Sequence, residues 1–352
     1  MSLQWSDSGR SNLFLQRTAL LRFALHRLKL RSDFKKSKMK KILSINNQII
    51  HTGEKAIVNL NIARLASGTE IDLPIYVYRS INPGPTVLMS GGLHGDEVDG
   101  IEIVRRLIDQ KVFEGLLCGS VIAIPIMNIY GFLNFSREVP DGKDINRSFP
   151  GSNTGSLASR VAYYLRQTVL KEIDFGIDFH TGGANRYNYP QTRYAPNDLR
   201  AKEISKAFNA PISLESRLID KSIRKEAFKM GKSIVVYEGG ESMRFDDDVI
   251  DQGIEGAKKV LNHYDMIKYN GKLNSVTICD SSAWIRAKSS GLFQPAVVSG
   301  QKVKKKDIIA KIVDPFGKFQ TKIKAPKDGI IIGHSNAPVI NQGDALFHLG
   351  TN

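Results

Sequence analysis

The sequence lacks two features that would place it in common protein classes. No uninterrupted apolar run approaches the roughly 18–20 residues that a membrane-spanning helix needs, so we expect no membrane association through a spanning segment. Only two cysteines are present, Cys118 and Cys279, and they lie far apart in the chain. They form no metal-type pair, and they indicate buried or free thiols in a reducing compartment, which favours a cytoplasmic location.

Acidic residues are scarce in residues 1–41, where two aspartates stand against eleven lysines and arginines. This segment therefore carries +9 of the formal charge of +15. Arg17 and Arg22 interrupt its apolar stretch, which argues against a secretory signal. It resembles a transit peptide or a surface-binding helix, or else a tag followed by translated upstream sequence. We treat residues 1–45 as a disordered or non-native extension, and we expect no nucleic-acid binding because no binding module accompanies the charge.

Residues 46–268 alternate between apolar strands and amphipathic helices, which predicts an α/β domain with a largely parallel sheet. The segments typical of strands are "KAIVNLNIARLA", "EIDLPIYVYRS", "TVLMSGG", "GSVIAIPIMN", "DFGIDFHTGG" and "KSIVVYEGG". The segments typical of helices are "VDGIEIVRRLIDQ", "SLASRVAYYLRQTVLKEI" and "VIDQGIEGAKKVLNHYDMI". Residues 272–352 have no helical spacing, and short β segments with weak internal duplication predict a small all-β domain there.

Polar side chains follow several of the predicted strands, at the edge where open α/β sheets bind ligands. His94 and Glu97 follow one strand, His180 ends another, and together they form a His2Glu set of the kind that holds hydrolytic zinc. Each residue also has an ordinary interpretation. An acid favours the first turn of a helix, and a histidine is often a hydrogen-bonded core residue. We favour Asp96 as the helix cap and Glu97 as the metal ligand.

A zinc hydrolase also needs a general base and positive groups for the substrate. Glu238, at the end of "IVVYE", is the candidate base, and Glu241 is a less well placed alternative. The loop "FSREVPDGKDINRSFPG" offers Arg137, Asn146 and Arg147 to the oxyanion and to a carboxylate. Lys143 in the same loop is interpreted as a solvated residue.

The segments "HGDE", "DGKDINRSFPG", "DFHTGG" and "EGGES" closely resemble the succinylglutamate desuccinylase/aspartoacylase family, which lies within the zinc carboxypeptidase-like (M14) superfamily. The resemblance covers about residues 46–350. It implies a mixed α/β sheet flanked by helices, followed by a C-terminal β domain similar to a biotinyl/lipoyl-type barrel. No acceptor lysine turn is present, and Lys318 or Lys327 at a hairpin tip is interpreted as a solvated turn residue.

The resemblance also implies roles for individual residues. His94, Glu97 and His180 correspond to ligands of one zinc ion, and Glu238 corresponds to the general base. Arg137 resembles the arginine that polarises the scissile carbonyl, and Asn146 with Arg147 matches the pair that binds the substrate carboxylate. Arg193 and Tyr194 lie where the family often adds substrate contacts.

These observations favour a zinc-dependent amidohydrolase that removes a short acyl group from an N-acyl amino acid or a similar small anionic amide. A zinc carboxypeptidase that trims peptides is the alternative, and an open groove would favour it. A zinc-binding or surface-binding protein without catalysis is a third hypothesis. The presence of Glu238 beside a three-ligand set argues against it, because structural zinc sites are normally closed by a fourth protein ligand. A homo-oligomer is compatible with the sequence.

Overall fold

The computed structural model describes residues 42–352, so the predictions for residues 1–41 lie outside the described residues. Within this range every strand and helix predicted for residues 46–268 is present, and further elements lie between them. The strands are β1 (Leu43–Ile45), β2 (Gln48–Ile50), β3 (Lys55–Arg64), β4 (Glu70–Arg79), β5 (Thr86–Gly91), β6 (Ser120–Ile124), β7 (Phe175–Gly182), β8 (Arg186–Tyr194), β9 (Ile212–Glu215), β10 (Ser233–Glu241), β11 (Thr277–Cys279), β12 (Ser281–Arg286), β13 (Gly291–Pro295), β14 (Lys302–Val303), β15 (Ile308–Val313), β16 (Gln320–Lys324), β17 (Gly329–Ser335), β18 (Val339–Ile340) and β19 (Ala345–Thr351). The α-helices are α1 (Val98–Asp109), α2 (Ile129–Leu133), α3 (Leu157–Leu165), α4 (Leu199–Phe208), α5 (Ile223–Lys229) and α6 (Asp247–His263).

Thirteen strands form one sheet, whose main path runs β12-β19-β17-β8-β10-β7-β5-β6-β4-β3. At its centre β6, β5, β7 and β10 are parallel neighbours, and the strands that flank them on this path are antiparallel. Every residue of β5, β6 and β7 is buried, as continuous apolar runs covered on both faces should be. The predicted fold class, a mixed sheet flanked by helices with β strands at its C-terminal end, is confirmed. Besides the four central strands, β9 pairs in parallel with β8 and β11 pairs in parallel with β9.

Two glycines allow α1 to lie close against the sheet. A Cβ at Gly100 would lie 2.2 Å from the carbonyl oxygen of Phe179, and a Cβ at Gly91 would lie 2.3 Å from the carbonyl oxygen of Gly100. No side chain fits at either position without displacing backbone. This contact draws the beginning of α1 onto β5 and β7, and it brings the turn from His94 to Glu97 over the edge where the parallel strands end.

The C-terminal strands are not a separate layer. β17 pairs with β8, and β19 and β12 then extend the main sheet. The remaining C-terminal strands form a four-stranded sheet in the order β16-β15-β13-β18 over their own apolar core. The division of the chain near residues 268–272, and the likeness to a biotinyl/lipoyl-type barrel, stay predictions. None of the helices in the described part of the chain is long and apolar enough to cross a membrane.

Candidate active site

The carboxyl ends of β5, β7 and β10 bring the predicted site residues together. Glu238 in β10 lies directly opposite His180 in β7, and His94 follows β5 in the turn that leads to α1. The prediction that Asp96 caps this helix is wrong, since Glu97 holds the cap position and no side chain makes a capping hydrogen bond. The carboxylate of Glu97 does not cap the helix, because it is directed towards the two histidines.

The side chains of His94, Glu97 and His180 form a buried cluster. Their potential ligand atoms lie within 4.8 Å of one another. One carboxylate oxygen of Glu97 lies 2.7 Å from Nδ1 of His94, and the other lies 2.7 Å from Nδ1 of His180. The two Nδ1 atoms are 3.2 Å apart. The backbone N–H of Thr181 donates to Glu97 at 3.2 Å and holds the carboxylate in place.

This cluster fits a divalent metal because each histidine directs one nitrogen inwards and the other towards a carboxylate. Nε2–H of His180 donates to Asp178 Oδ2 at 2.7 Å, and Ser90 Oγ donates to the other oxygen of Asp178 at 2.8 Å. A carboxylate partner such as Asp178 fixes the tautomer of a metal-binding histidine and leaves Nδ1 of His180 available to a metal. Nε2 of His94 is buried and faces Asp144 Oδ1 at 3.4 Å, without a hydrogen bond in the described residues.

The charges of the cluster depend strongly on one another. Burial opposes the charged form of His94, Glu97 and His180. The attraction between the imidazoles and the carboxylates around them is larger in sum than this effect of burial. The pKa of Glu97 is therefore held well below its usual value, and the pKa of His94 is raised. The pKa of His180 is raised well above its usual value, with Asp178 contributing more than Glu97. A buried carboxylate that holds cationic partners this strongly is a suitable ligand for a metal cation.

Replacing Asp178 by Asn is expected to weaken zinc binding by about 10- to 100-fold, because the amide no longer fixes the Nε2–H of His180 as a carboxylate does. Zinc affinity measured by competition with a chromogenic chelator tests this. Asp174→Asn is the control, since Asp174, directly before the same strand, accepts a hydrogen bond from the backbone of Thr86 at 2.8 Å, away from the cluster. Equal zinc affinity of Asp178→Asn and the unchanged protein would contradict the role of Asp178 in orienting His180.

Asp144 organises the loop that carries the predicted arginines. Its Oδ2 accepts hydrogen bonds from Nε and Nη2 of Arg137 at 3.1 and 2.9 Å, and its Oδ1 accepts from the backbone N–H of Asn146 at 2.6 Å. Burial opposes its ionisation, yet His94 and Arg137 lower the pKa of Asp144. Nη1 of Arg137 lies 3.3 Å from Glu97 Oε1, so this guanidinium reaches the metal-type cluster. Asp144 was missed in the sequence, where it stands among several charged residues.

Asn146 and Arg147 lie on a single 3₁₀ turn, Ile145–Arg147, at the wall of the same pocket. Oδ1 of Asn146 accepts a hydrogen bond from the backbone N–H of Ile223, which fixes the amide and leaves its NH₂ group as a donor. Arg147 hydrogen-bonds the carbonyl oxygen of Asn146 at 2.7 Å and makes no ion pair with the described residues. The turn therefore presents two donors of the type that bind a carboxylate.

Glu238 has two donors on one of its oxygens. Asn188 Nδ2 donates to Oε2 at 2.6 Å, and Nη2 of Arg193 lies 2.9 Å from the same atom. Within residues 42–352, Oε1 accepts no hydrogen bond. Arg193, predicted as a substrate contact, does line the pocket, but it is paired with the candidate base. Asn188 could not be found from the sequence, because it lies in an antiparallel strand outside the four polar segments.

These residues surround a pocket of about 670 Å³. Six arginines line it, against four acidic side chains: Arg137, Arg147, Arg186, Arg193, Arg217 and Arg224 face Asp96, Glu97, Glu138 and Glu238. Trp284 of β12 forms part of the wall, with the guanidinium of Arg186 5.6 Å from its ring centroid. Arg224 is buried, and no carboxylate in the described residues pairs with it. Burial, with Arg193 nearby, lowers the pKa of Arg224 to about 10.

The family model for the succinylglutamate desuccinylase/aspartoacylase catalytic domain matches residues 83–264, a range that contains every one of the predicted site residues. The chain belongs to this family. The resemblance predicted from the four sequence segments is thereby confirmed. The matched range also includes Asp144, Asp178 and Asn188 but ends before the C-terminal strands that carry Trp284. Membership supports an amide-bond hydrolase.

Individual proteins and solved structures are similar to this chain over most of its length. The N-α-acetyl-L-2,4-diaminobutyric acid deacetylase of Halomonas elongata is 28% identical, over 78% of this chain and 84% of the relative. The product-bound structure of the ectoine utilization protein EutE (DoeB) from Ruegeria pomeroyi is 25% identical, with a TM-score of 0.79, and the match covers 90% of this chain and 100% of that chain. A succinylglutamate desuccinylase from Silicibacter sp. TM1040 shares the fold, at 24% identity and a TM-score of 0.78, covering 89% of this chain and 99% of that chain.

Proposed function

We propose that this member of the family is a zinc-dependent deacylase that cleaves the amide bond of an N-acyl amino acid or a similar small anionic substrate. The observation that carries the proposal is the placement of the buried His94–Glu97–His180 cluster and of Glu238 in one arginine-lined pocket. Three protein ligands leave a metal position open for water or substrate, as catalytic zinc sites do. The relatives named as a deacetylase and a desuccinylase are consistent with an amide substrate.

The side chains of the pocket divide the reaction between them. When bound by His94, Glu97 and His180, zinc would lower the pKa of water and polarise the scissile carbonyl. Glu238 takes the proton from the attacking water and delivers it to the departing amine. Arg137 donates to the carbonyl oxygen as negative charge develops there, from a position fixed by the carboxylate of Asp144.

The arginines of the pocket support an anionic substrate. Arg147, Arg217 and Arg224 line it, and none of the three pairs with a carboxylate among the described residues. Nε of Arg224 is buried and has no hydrogen-bond partner in that part of the chain. A buried guanidinium with free donors is costly unless a ligand supplies the acceptor. We therefore assign the substrate carboxylate to Asn146 and Arg147, and we propose that Arg224 and Arg217 favour a second acidic group.

The pocket wall supports a small substrate over a peptide. Trp284 comes from a C-terminal strand and lines the pocket on the side of β8, next to Arg186. An open groove was the feature that would have favoured the carboxypeptidase alternative. The presence of Trp284, a residue of a C-terminal strand, in the wall of a pocket built on the parallel sheet supports a substrate with the acyl and amino acid parts of one small molecule.

An amine-release screen of the zinc-loaded protein tests the proposal. We expect turnover of N-acetyl, N-succinyl or N-formyl amino acids, and at least about 10-fold lower kcat/KM for the matching carboxyl esters or amides, because they lack the charge that Arg147 binds. Arg147→Met should raise KM for the free acid by about 10- to 100-fold and leave KM for the ester unchanged.

Arg64→Met serves as the control for loss of positive charge, because Arg64 is exposed on β3 and pairs with Glu70 at 3.6 Å, outside the pocket. Equal turnover of the neutral analogues would overturn the anionic substrate. Release of C-terminal residues from peptides, without turnover of any N-acyl amino acid, would replace the proposal by the carboxypeptidase.

A further inference from the structure

We propose that Asn188 is a positioning residue for the general base Glu238, and that Gly333 of the C-terminal strand β17 leaves the space that this orientation of Asn188 requires. The inference rests on the proposed function, because it assigns a role relative to the base of that reaction. The inference gives the C-terminal strands a role in catalysis. These strands lie beyond residue 264, where the match to the family model ends.

The first observation is the pairing of the Glu238 carboxylate. Asn188 is buried, with 5% of its surface exposed, and its Nδ2 donates to Oε2 of Glu238 at 2.6 Å. Arg193 approaches the same oxygen at 2.9 Å. Two donors on one oxygen fix the plane of the carboxylate. The other oxygen, Oε1, accepts no hydrogen bond from residues 42–352, so it is left to accept the proton of a water. A base held in one orientation does not have to be ordered during the reaction.

The second observation is the neighbour of Asn188 on the other side. Gly333 of β17 lies directly opposite Asn188 in the antiparallel pair β8–β17. A Cβ on Gly333 would lie 2.5 Å from Oδ1 of Asn188 and 3.1 Å from the carbonyl oxygen of Tyr187. Real Cβ atoms do not approach that closely, so the amide of Asn188 occupies the space where any other residue at position 333 would have a side chain.

The row continues across the C-terminal strands to the wall of the pocket. Gly333 lies opposite His348 of β19, and His348 lies opposite Trp284 of β12. Residues directly opposite one another share a face of the sheet, so all of these lie on the face that carries Asn188. The rings of His348 and Trp284 stack, with centroids 4.6 Å apart and planes 11° apart. One row of paired residues thus connects the pocket wall at Trp284 with Asn188.

Two substitutions test the two contacts. Asn188→Leu keeps the approximate size of the side chain and removes the donor, and Gly333→Ala places a methyl group against the amide. We expect each to lower kcat by about 10- to 100-fold, with KM within about 2-fold and the zinc content unchanged, because hydrogen bonds to a charged group are lost or distorted without loss of substrate contacts. The double variant should be no slower than Asn188→Leu alone, because both changes act on one contact.

Asn336→Leu is the matched control. Asn336 donates from Nδ2 to Oε2 of Glu241 at 2.7 Å, so the same type of contact is lost at a carboxylate that is not among the described residues lining the pocket. We expect its kcat to equal that of the unchanged protein. Full activity of Asn188→Leu would overturn the inference, and so would additive losses in the double variant or a parallel rise in KM.

The same measurements separate this inference from the proposed function. Should Glu238→Gln lose activity while Asn188→Leu retains it, the base assignment stands and only the positioning role fails. Should Glu238→Gln remain active, the base assignment itself fails. Should Gly333→Ala not fold, Asn188→Leu still tests the contact with Glu238, because it adds no bulk to β17.

Discussion

Replacing Glu238 by Gln is expected to lower kcat by about 10²- to 10⁴-fold, while the protein still binds zinc. The amide has nearly the shape of the carboxylate, so the pocket and the His94–Glu97–His180 cluster are retained. It cannot accept the proton of the attacking water at neutral pH, and it therefore cannot return that proton to the leaving amine. Steady-state kinetics on a substrate found by the amine-release screen, together with metal analysis of the purified variant, measure both parts of the expectation.

Glu241→Gln is the control for that substitution. Glu241 lies three residues further along the same strand and accepts a hydrogen bond from Asn336, and it does not belong to the described pocket lining. We expect its kcat to stay within about 2-fold of the unchanged value, as for substitutions outside the reacting groups. Loss of turnover in Glu241→Gln, with full activity in Glu238→Gln, would transfer the role of base to Glu241.

The positions of the chemical groups could be predicted because they follow strands. His94, His180 and Glu238 each come at the end of an apolar run, and the carboxyl ends of neighbouring parallel strands meet at one edge of a sheet. A local pattern therefore carried information about residues that are 144 positions apart, from 94 to 238. The family resemblance rests on the same segments, "HGDE", "DFHTGG" and "EGGES" among them.

The supporting contacts could not be predicted because they depend on which strands pair. Asn188 lies in β8, and nothing in "RYNYPQTRY" indicates that β8 lies between β10 and a strand from the C-terminal region. Trp284 likewise reaches the pocket only because β12 and β19 continue the main sheet. The composition of residues 272–352 predicts a separate β domain. Composition does not show that strands of this region pair with the main sheet.

The error at Asp96 has a local cause. Acids at the beginning of a helix favour it through the helix dipole, so two adjacent acids leave the choice between cap and ligand open to sequence reasoning. The structure shows Glu97 at the cap position with its carboxylate on His94 and His180, and the helix begins without a side-chain cap. The contacts of Glu97 with the two histidines stand in place of a side-chain cap, which typically contributes about 1 kcal/mol.

Replacing His180 by Ala is expected to abolish stoichiometric zinc binding and to reduce turnover by more than about 100-fold, a larger loss than for its partner Asp178. The reason is that two remaining ligands, His94 and Glu97, do not complete the set of three that a catalytic zinc ion normally needs. Zinc content after dialysis and the thermal shift caused by added zinc are measured beside activity. The unchanged protein should be stabilised by zinc, because a ligand that binds the folded state raises its stability, and His180→Ala should not.

A second histidine provides the control for the loss of an imidazole–carboxylate pair. His263 at the end of α6 lies 2.7 Å from Glu203, the same separation as that between His180 and Glu97, but it lies outside the pocket lining of the described chain. His263→Ala should therefore keep its zinc content, its thermal response to zinc and its activity. Full zinc binding by His180→Ala would show that the metal is held elsewhere. Loss of zinc with unchanged activity would show that the amide is cleaved without it, and either result would remove the metal from the proposed function.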